Sequence, residues 1–322
     1  MAKTILVTGG AGFIGSHLIN KLMNSNSFVY CIDNLSTGSI NNISEYLDNK
    51  YFKFIQHDII NPLPDIKVDQ IFHLACPASP IQYQIDPINT MKTSVLGTYN
   101  VINLAILNKS KILYSSTSEI YGNPIEHPQK ETYFGNVNTI GERSCYDEGK
   151  RCAETILSDY KRFDKIDACI VRIFNTYGPN MSLNDGRVIS NFIVNALLNK
   201  DIIINGDGKQ TRSFCYIDDL IDSFDNLLNN NMFGPVNIGN PNEIKIIDLC
   251  KMVVEITNSK SKVVFKNLPE DDPIRRKPDI SIAKNSLNWE PKISLENGLK
   301  LTIDYFEKLL KNESNTTKDK FS

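Results

Sequence analysis

Tyr146 and Lys150, four residues apart in Tyr146-Asp-Glu-Gly-Lys150, carry the first chemistry legible in the chain. On a helix that spacing puts a phenol and an ammonium on one face, near enough for the positive charge to favour phenolate. A phenolate so placed is a base for the proton of an alcohol. Thr117-Ser118-Glu119, at the end of a strand-like run over 111–116, delivers a carboxyl group beside it. Oxidation of an alcohol needs no second acid or base, so Glu119 points to a step that follows the oxidation.

Nearer the amino terminus, Thr8-Gly-Gly-Ala-Gly-Phe-Ile-Gly15 follows a strand-like run and precedes a helix-like segment over 16–23. A dinucleotide site needs a tight turn, backbone close to a pyrophosphate, and a helix amino terminus whose free amides face that charge. Gly9, Gly10, Gly12 and Gly15 supply these. Asp33 ends the second strand about 20 residues on, where a carboxylate accepts from a ribose diol and repels a 2′-phosphate. NAD is therefore expected rather than NADP. Asp58, ending the third strand, is a candidate contact on the adenine side.

The elements that must position these groups follow a simple order. Short apolar runs over 4–7, 28–32, 52–56, 70–75, 111–116 and 168–174 alternate with helix-length amphipathic stretches, the pattern of a parallel sheet covered on both faces. Beyond Asn175 the order loosens, with Pro179, Asn184-Asp-Gly186 and Asn205-Gly-Asp-Gly208 marking loops. The run Pro235-Val-Asn-Ile-Gly239 reads as one more sheet strand, which makes the second domain discontinuous. The expected fold class is α/β: a Rossmann-type doubly wound parallel sheet with a smaller, discontinuous substrate-binding domain. The boundaries are 1–175 and 213–240 for the first, 176–212 and 241–311 for the second, and 312–322 as a polar, flexible tail.

Composition sets limits. With 322 residues, 41% of them hydrophobic, the chain has enough material for a full core and about two domains. A net charge of -2 and the lack of a dense basic run argue against a nucleic-acid surface. Seven scattered cysteines without a Cys-x-x-Cys pair fit a reducing compartment. The first buried strand begins at residue 4, which leaves no room for a signal peptide, and no apolar run approaches the ~20 residues that cross a bilayer. A cytoplasmic protein away from membranes is expected. His17, His57, His73 and His127 lack metal-ligand spacing, so no metal is expected.

With these residues placed, the sequence resembles the extended short-chain dehydrogenase/reductases that act on nucleotide sugars, and among them the UDP-glucuronate decarboxylases, or UDP-xylose synthases. The resemblance runs from about residue 3 to 310. It is carried by His73-Leu-Ala-Cys-Pro-Ala-Ser-Pro80, Gly141-Glu-Arg-Ser-Cys-Tyr-Asp-Glu-Gly-Lys-Arg151, Asn184-Asp-Gly-Arg-Val-Ile-Ser-Asn-Phe-Ile193 and Arg276-Lys-Pro-Asp279. It implies a Rossmann domain holding NAD tightly, a smaller domain for the UDP sugar, and a homodimer built through a helix bundle. It extends the NAD-contacting set beyond Gly9, Gly12, Gly15, Asp33 and Asp58 to Phe13, Ile14, Asn34, Ser36, Thr37, Gly38, Ile59, Leu74, Ala75 and Thr93, with Tyr146 and Lys150. Lys92, Asn100, Arg143, Asn175, Arg187, Arg212 and Arg276 fall at positions expected to face the UDP-sugar. The chain departs from the family pattern at Ser94, where asparagine is usual, and at Thr139, where proline is common.

The reaction so implied begins with Tyr146, its pKa lowered from about 10 by Lys150 and the nicotinamide charge, taking the proton of the sugar 4-hydroxyl as NAD accepts hydride. The resulting ketone lies β to the C6 carboxylate, so carbon dioxide can leave with its electrons delocalised into the C4 oxygen. Thr117 is expected on that oxygen, Ser118 and Glu119 at the C5/C6 end where they help to move protons, and Arg276 on the carboxylate. Returned hydride gives UDP-xylose. A 4,6-dehydratase carries aspartate where Ser118 stands, and a 4-epimerase has no counterpart of Glu119. A decarboxylase that releases the 4-keto pentose shares the same residues and stays open. So does a non-catalytic NAD-binding regulator on the same fold, although intact Thr117, Tyr146 and Lys150 speak against it.

Overall fold

The alternation of strands and helices is realised as a parallel sheet between two helical layers. The computed structural model describes residues 2–230, 232–267 and 275–319, the side chains of 313–319 excepted. In chain order the strands are β1 (Lys3–Thr8), β2 (Ser27–Asp33), β3 (Phe52–Gln56), β4 (Gln70–His73), β5 (Lys111–Thr117), β6 (Asp167–Ile173), β7 (Thr176–Tyr177), β8 (Ile202–Asn205), β9 (Thr211–Ser213), β10 (Cys215–Tyr216), β11 (Val236–Ile238), β12 (Glu243–Lys245), β13 (Val263–Lys266) and β14 (Arg275–Arg276). The helices are α1 (Phe13–Met23), α2 (Pro80–Tyr83), α3 (Pro87–Asn108), α4 (Ser144–Arg162), α5 (Val188–Leu197), α6 (Ile217–Asn229), α7 (Ile246–Thr257), α8 (Ser281–Leu287) and α9 (Leu295–Asp319).

Seven strands form the main sheet in the order β11-β6-β5-β4-β1-β2-β3, all neighbours parallel. Strand order reverses between β1 and β4, where Thr8 pairs with His73, and a crevice opens at the carboxyl ends of an open sheet at such a switch. Alternation along the strands divides the core. Ile5, Val7, Val29, Cys31 and Phe72 pack with α1 and α6, whereas Leu6, Ile32, Ile71, Ile112 and Tyr114 pack with α3 and α4. Pro235-Val-Asn-Ile-Gly239 does join the main sheet, as β11 beside β6. The second region carries β12-β9-β14 and β13-β8.

The two helices behind the site are locked together. Gly149 of α4 lies against Ser94 of α3 so closely that a Cβ there would sit 3.0 Å from the Ser94 Cβ. The Ser94 hydroxyl in turn contacts the Cys76 thiol at 3.3 Å. At the carboxyl end α9 runs on to Asp319, because Asn312-Glu-Ser-Asn-Thr-Thr-Lys-Asp319 holds neither glycine nor proline to stop it. No helix among the described residues is long and apolar enough to cross a membrane.

Candidate active site

The glycine turn is built by close approach. Gly9 has a φ of +71°, and a Cβ on Gly15 would lie 2.2 Å from the Gly9 carbonyl oxygen, so α1 can start directly beneath the turn only with glycine there. The cap residue of α1, Gly12, has no side chain to cover the first amides. Asp33 fastens this turn to the end of β2: Oδ2 accepts from the Ala11 amide at 3.0 Å and Oδ1 from the Leu35 amide at 2.8 Å. Asn34 donates to the Asp58 carboxylate at 2.9 Å. All the residues expected to hold NAD, Tyr146 and Lys150 apart, line one cavity of about 950 Å³ here. Bare helix amides and a cradle that any Cβ would fill suit a pyrophosphate.

A second cavity of about 890 Å³ adjoins it and holds Thr117, Ser118, Glu119, Tyr146 and Lys150. The strand β5 ends at Thr117, whose hydroxyl accepts from the Glu119 amide at 3.2 Å and starts a 3-10 turn over Ser118–Tyr121. The same side chain hydrogen-bonds the Tyr146 phenol. Lys150, only 3% exposed, donates from Nζ to the Ser115 carbonyl at 2.7 Å and stands 4.8 Å above the Tyr114 ring, 5.9 Å from that of Tyr146. Helical spacing does put Tyr146 and Lys150 on one face.

The electrostatics require a correction. Burial pushes the Tyr146 phenol well above its ordinary range; Cys76 and the Glu119 and Asp147 carboxylates push the same way, and the Thr117 hydrogen bond and the Arg187 charge oppose them. Lys150 is not among the main influences on the phenol: its ammonium donates to the Ser115 carbonyl, and burial lowers its own pKa. Glu119 behaves oppositely. Burial pushes it up, but Arg276 and Arg143 outweigh that and hold it at about 2. Arg276 grips both of its oxygens, Nη2 to Oε2 at 3.0 Å and Nη1 to Oε1, and Arg143 Nη2 donates to Oε2 at 2.6 Å. Glu119 is therefore held as a carboxylate near neutral pH.

Strand pairing explains how distant arginines meet. β14 lies parallel to β9 with Arg276 opposite Arg212, and both side chains line the sugar-sized cavity with Arg143, Asn175 and Arg187. Arg187 is held by Asp185, Nε to Oδ1 at 2.6 Å and Nη2 to Oδ2 at 2.7 Å, and lines both cavities. Two predicted residues are not brought to the site. Lys92 is exposed on α3 and lines neither cavity, and Asn100, farther along α3, donates to the Ile59 carbonyl at 2.8 Å, supporting the loop after β3.

Three residues at the site carried no role in the sequence reading. Cys76 lines both cavities. Tyr83 stacks on Tyr146 with ring centroids 5.1 Å apart and planes within 2°. Asp147, buried beside Tyr146, stands inside the Tyr146-to-Lys150 string, where a carboxylate at a helix start reads as an ordinary first-turn acid. His73 accounts for itself: buried, held by Thr8 at 2.9 Å and Thr98 at 3.2 Å, it is kept neutral by burial first and Lys150 second, at about 3. Among the described residues no group of three or more histidines, cysteines or acids could hold a metal ion.

The model of the GDP-mannose 4,6-dehydratase family matches residues 6–302. UDP-glucuronic acid decarboxylase 1 of Arabidopsis thaliana is 51% identical over 309 residues, 96% of this chain and 71% of the relative. UDP-glucuronic acid decarboxylase 1 of Xenopus tropicalis is 47% identical over 313 residues, 97% of this chain and 74% of the relative. Among solved structures, UDP-glucuronic acid 4-epimerase from Bacillus cereus with UDP-glucuronic acid and NAD superposes with a TM-score of 0.86 at 30% identity, over 95% of this chain and 99% of that one. UDP-glucose 4-epimerase from Thermotoga maritima with UDP-glucose gives 0.84 at 31%, again over 95% and 99%.

Proposed function

The chain belongs to the GDP-mannose 4,6-dehydratase family of extended short-chain dehydrogenase/reductases, among relatives named UDP-glucuronic acid decarboxylases, and we propose that it converts UDP-glucuronate to UDP-xylose and carbon dioxide with NAD. One observation carries the reading: the Tyr146–Thr117 pair and the guanidinium fork of Arg276 on Glu119 share a single cavity. Base and carboxylate-binding cation then face the same bound sugar.

Bound NAD supplies the hydride acceptor and, reduced, the donor. Tyr146 takes the proton of the sugar 4-hydroxyl, with Thr117 hydrogen-bonded to the same oxygen. In the free chain burial holds the phenol above its ordinary range, and the positive charge of a bound oxidised nicotinamide would act to lower it. The C4 ketone lies β to the carboxylate. The C5–C6 bond breaks, and its electron pair passes into an enolate at C4, whose oxygen Tyr146 and Thr117 cover. Arg276, kept in place by Glu119, faces the uronate end, and Arg212, Arg187 and Asn175 receive the nucleotide diphosphate and sugar. Tyr146 finally returns its proton to O4.

The same reading divides the chain into a nucleotide-binding part, 1–175 with 213–240, and a sugar-binding part, 176–212 with 241–311. It also includes a homodimer through α3 and α4, supported by the exposed Ile88, Leu96, Tyr99 and Leu107 of α3. Seven cysteines without a disulfide among them support a cytoplasmic setting.

The test is incubation with UDP-glucuronate without added reductant, following carbon dioxide and the nucleotide sugar by NMR. Carbon dioxide with UDP-xylose is the expected outcome. Absence of carbon dioxide sinks the reading; a C4-inverted UDP-uronate would make the chain an epimerase. UDP-4-keto-pentose with stoichiometric NADH would make it an oxidative decarboxylase.

A further inference from the structure

The overall reaction consumes a proton that neither Tyr146 nor Glu119 can supply. When carbon dioxide leaves, the C5–C6 bond is lost and a C5–H bond takes its place, so one proton enters from outside the sugar in each turnover. The proton that Tyr146 takes from O4 goes back to O4 and leaves no surplus. Glu119 cannot be the store, since Arg276 and Arg143 keep it ionised.

Behind Glu119 lies a separate cavity of about 220 Å³, lined by Glu119, Gly122, Asn136, Arg143, Ser144 and Asp147 among others. Its rim is exposed at Asn123, Asn136 and Asn138. Its inner wall holds Asp147, 6% exposed, whose Oδ1 is buried without any hydrogen-bond partner. Buried polar oxygens are normally satisfied, so an orphaned carboxyl oxygen on a residue that also lines a polar space marks a group suited to hold a proton. At about 30 Å³ each, several waters fit. Its edge is closed by backbone packing: Gly122 has a φ of +62°, and a Cβ on it would lie 2.0 Å from the Asn136 carbonyl oxygen. Glu119 and Arg143 line both this cavity and the sugar-sized one, and so form the partition between them.

We propose that Asp147 is the station that delivers the incoming proton, passing it through water in this cavity, ordered by the Glu119 carboxylate, to C5 of the decarboxylated sugar. The proposal rests on the decarboxylase reading and deepens it. In the step, Asp147 O–H breaks, a water passes the proton on, C5–H forms from the enolate's electron pair, and Asp147 is reprotonated from solvent at the asparagine rim. Because it acts through water and Glu119, Asp147 is a positioning residue for the proton. The groups that face it are Glu119, Arg143 and Arg276, Glu148 of its own helix, and Tyr83, Cys145 and Tyr146. Burial and then the Glu119 charge raise its pKa to about 8 against the two guanidiniums, so the carboxyl carries a proton at neutral pH.

The full chain with NAD and UDP-glucuronate provides the test, with carbon dioxide release as the signal. Wild-type kcat is expected to hold through pH 7 and fall above about pH 8. Asp147→Asn should lower kcat by roughly 10- to 100-fold at neutral pH, change the KM for UDP-glucuronate by less than about threefold, and lose the alkaline limb; Asp147→Glu should restore it. A variant whose kcat stays within about twofold of wild type and keeps the limb overturns the proposal. If Asp147→Asn fails to fold, the wild-type profile decides, since a kcat that stays level from about pH 7 to 9.5 overturns it equally. Wild-type protein that releases no carbon dioxide defeats the decarboxylase reading and this proposal together, whereas active wild type with an unaltered variant removes only the proposal.

Discussion

Arg276 and Glu119, 157 positions apart in sequence, form a two-pronged ion pair, with Arg276 Nη2 donating to Oε2 at 3.0 Å and Nη1 to Oε1. Both side chains are largely out of water, 5% and 15% exposed. A pair of this kind fixes the end of β14 against the 3-10 turn after β5 and thereby joins the second region of the chain to the first.

Removing one partner leaves a buried charge with less compensation. Arg276→Gln is expected to cost about 2–4 kcal/mol of stability, less than a fully orphaned charge because Arg143 stays on Glu119. Urea unfolding followed by circular dichroism measures it, and a midpoint equal to wild type would contradict the pairing. Decarboxylation should fall in the same variant, with a higher KM for UDP-glucuronate.

Acid should act on the protein in two stages. His73 has a folded pKa depressed to about 3 from an ordinary 6.5, so its contribution is complete above pH 6.5 and drains away as pH falls towards 3. Glu119, depressed to about 2 from 4.5, adds stability that is lost between those values. In mild acid the loss at His73 is opposed by Asp147, whose pKa, raised to about 8, adds stability as pH falls from there towards its ordinary 3.8. His73→Asn, able to keep a hydrogen bond to Thr8 or Thr98, should leave Asp147 unopposed, so that urea titrations show stability rising as pH falls from 6.5 to 4.5 before the loss at Glu119 sets in below it.

Tyr146→Phe removes the proposed base and little else. Turnover should fall at least about 10³-fold. NAD binding, followed by fluorescence quenching, should change by less than about threefold, and retained turnover would refute the assignment. The free protein should show no phenolate absorbance from Tyr146 at about pH 8, since burial holds the phenol above its ordinary range.

Asp33 serves the turn as well as the expected ribose. Asp33→Asn keeps an acceptor for either Ala11 or Leu35 but loses the charge, so NAD affinity should drop about tenfold, some 1.4 kcal/mol, and discrimination against NADP should narrow. Calorimetric titration with both cofactors checks this. Equal NADP rejection in the variant would place the discrimination elsewhere.

Sequence made the sheet and the glycine turn legible because both are local: runs such as 111–116 declare a strand, and Gly9 to Gly15 declare a turn with a helix behind it. Tyr146 and Lys150 were legible for the same reason, since helical spacing alone puts them side by side. The sign of the Tyr146 shift was not, because it depends on burial and on Cys76, which another part of the chain supplies. Arg276 is placed near the sugar by resemblance, but its bond to Glu119 depends on β14 pairing with β9. Lys92 and Asn100 show the converse: they share α3 with Thr93, which does line the nucleotide cavity, yet meet other surroundings. Asp147 stands in plain view in the sequence, but an acid in a first turn has an ordinary explanation until its missing partners are seen.

Lys150 is borne by α4, yet its ammonium is moored to the Ser115 carbonyl of β5 at 2.7 Å. The ammonium beside the phenol is therefore carried by one layer and aimed by another. Small rotations of α4 about its own axis would swing the phenol while the ammonium stays pinned, so the distance between base and cation is set by how the helix rides on the strand. Chains that keep Tyr146 and Lys150 but repack that layer could thus drift in pH optimum without a single change among the reacting groups.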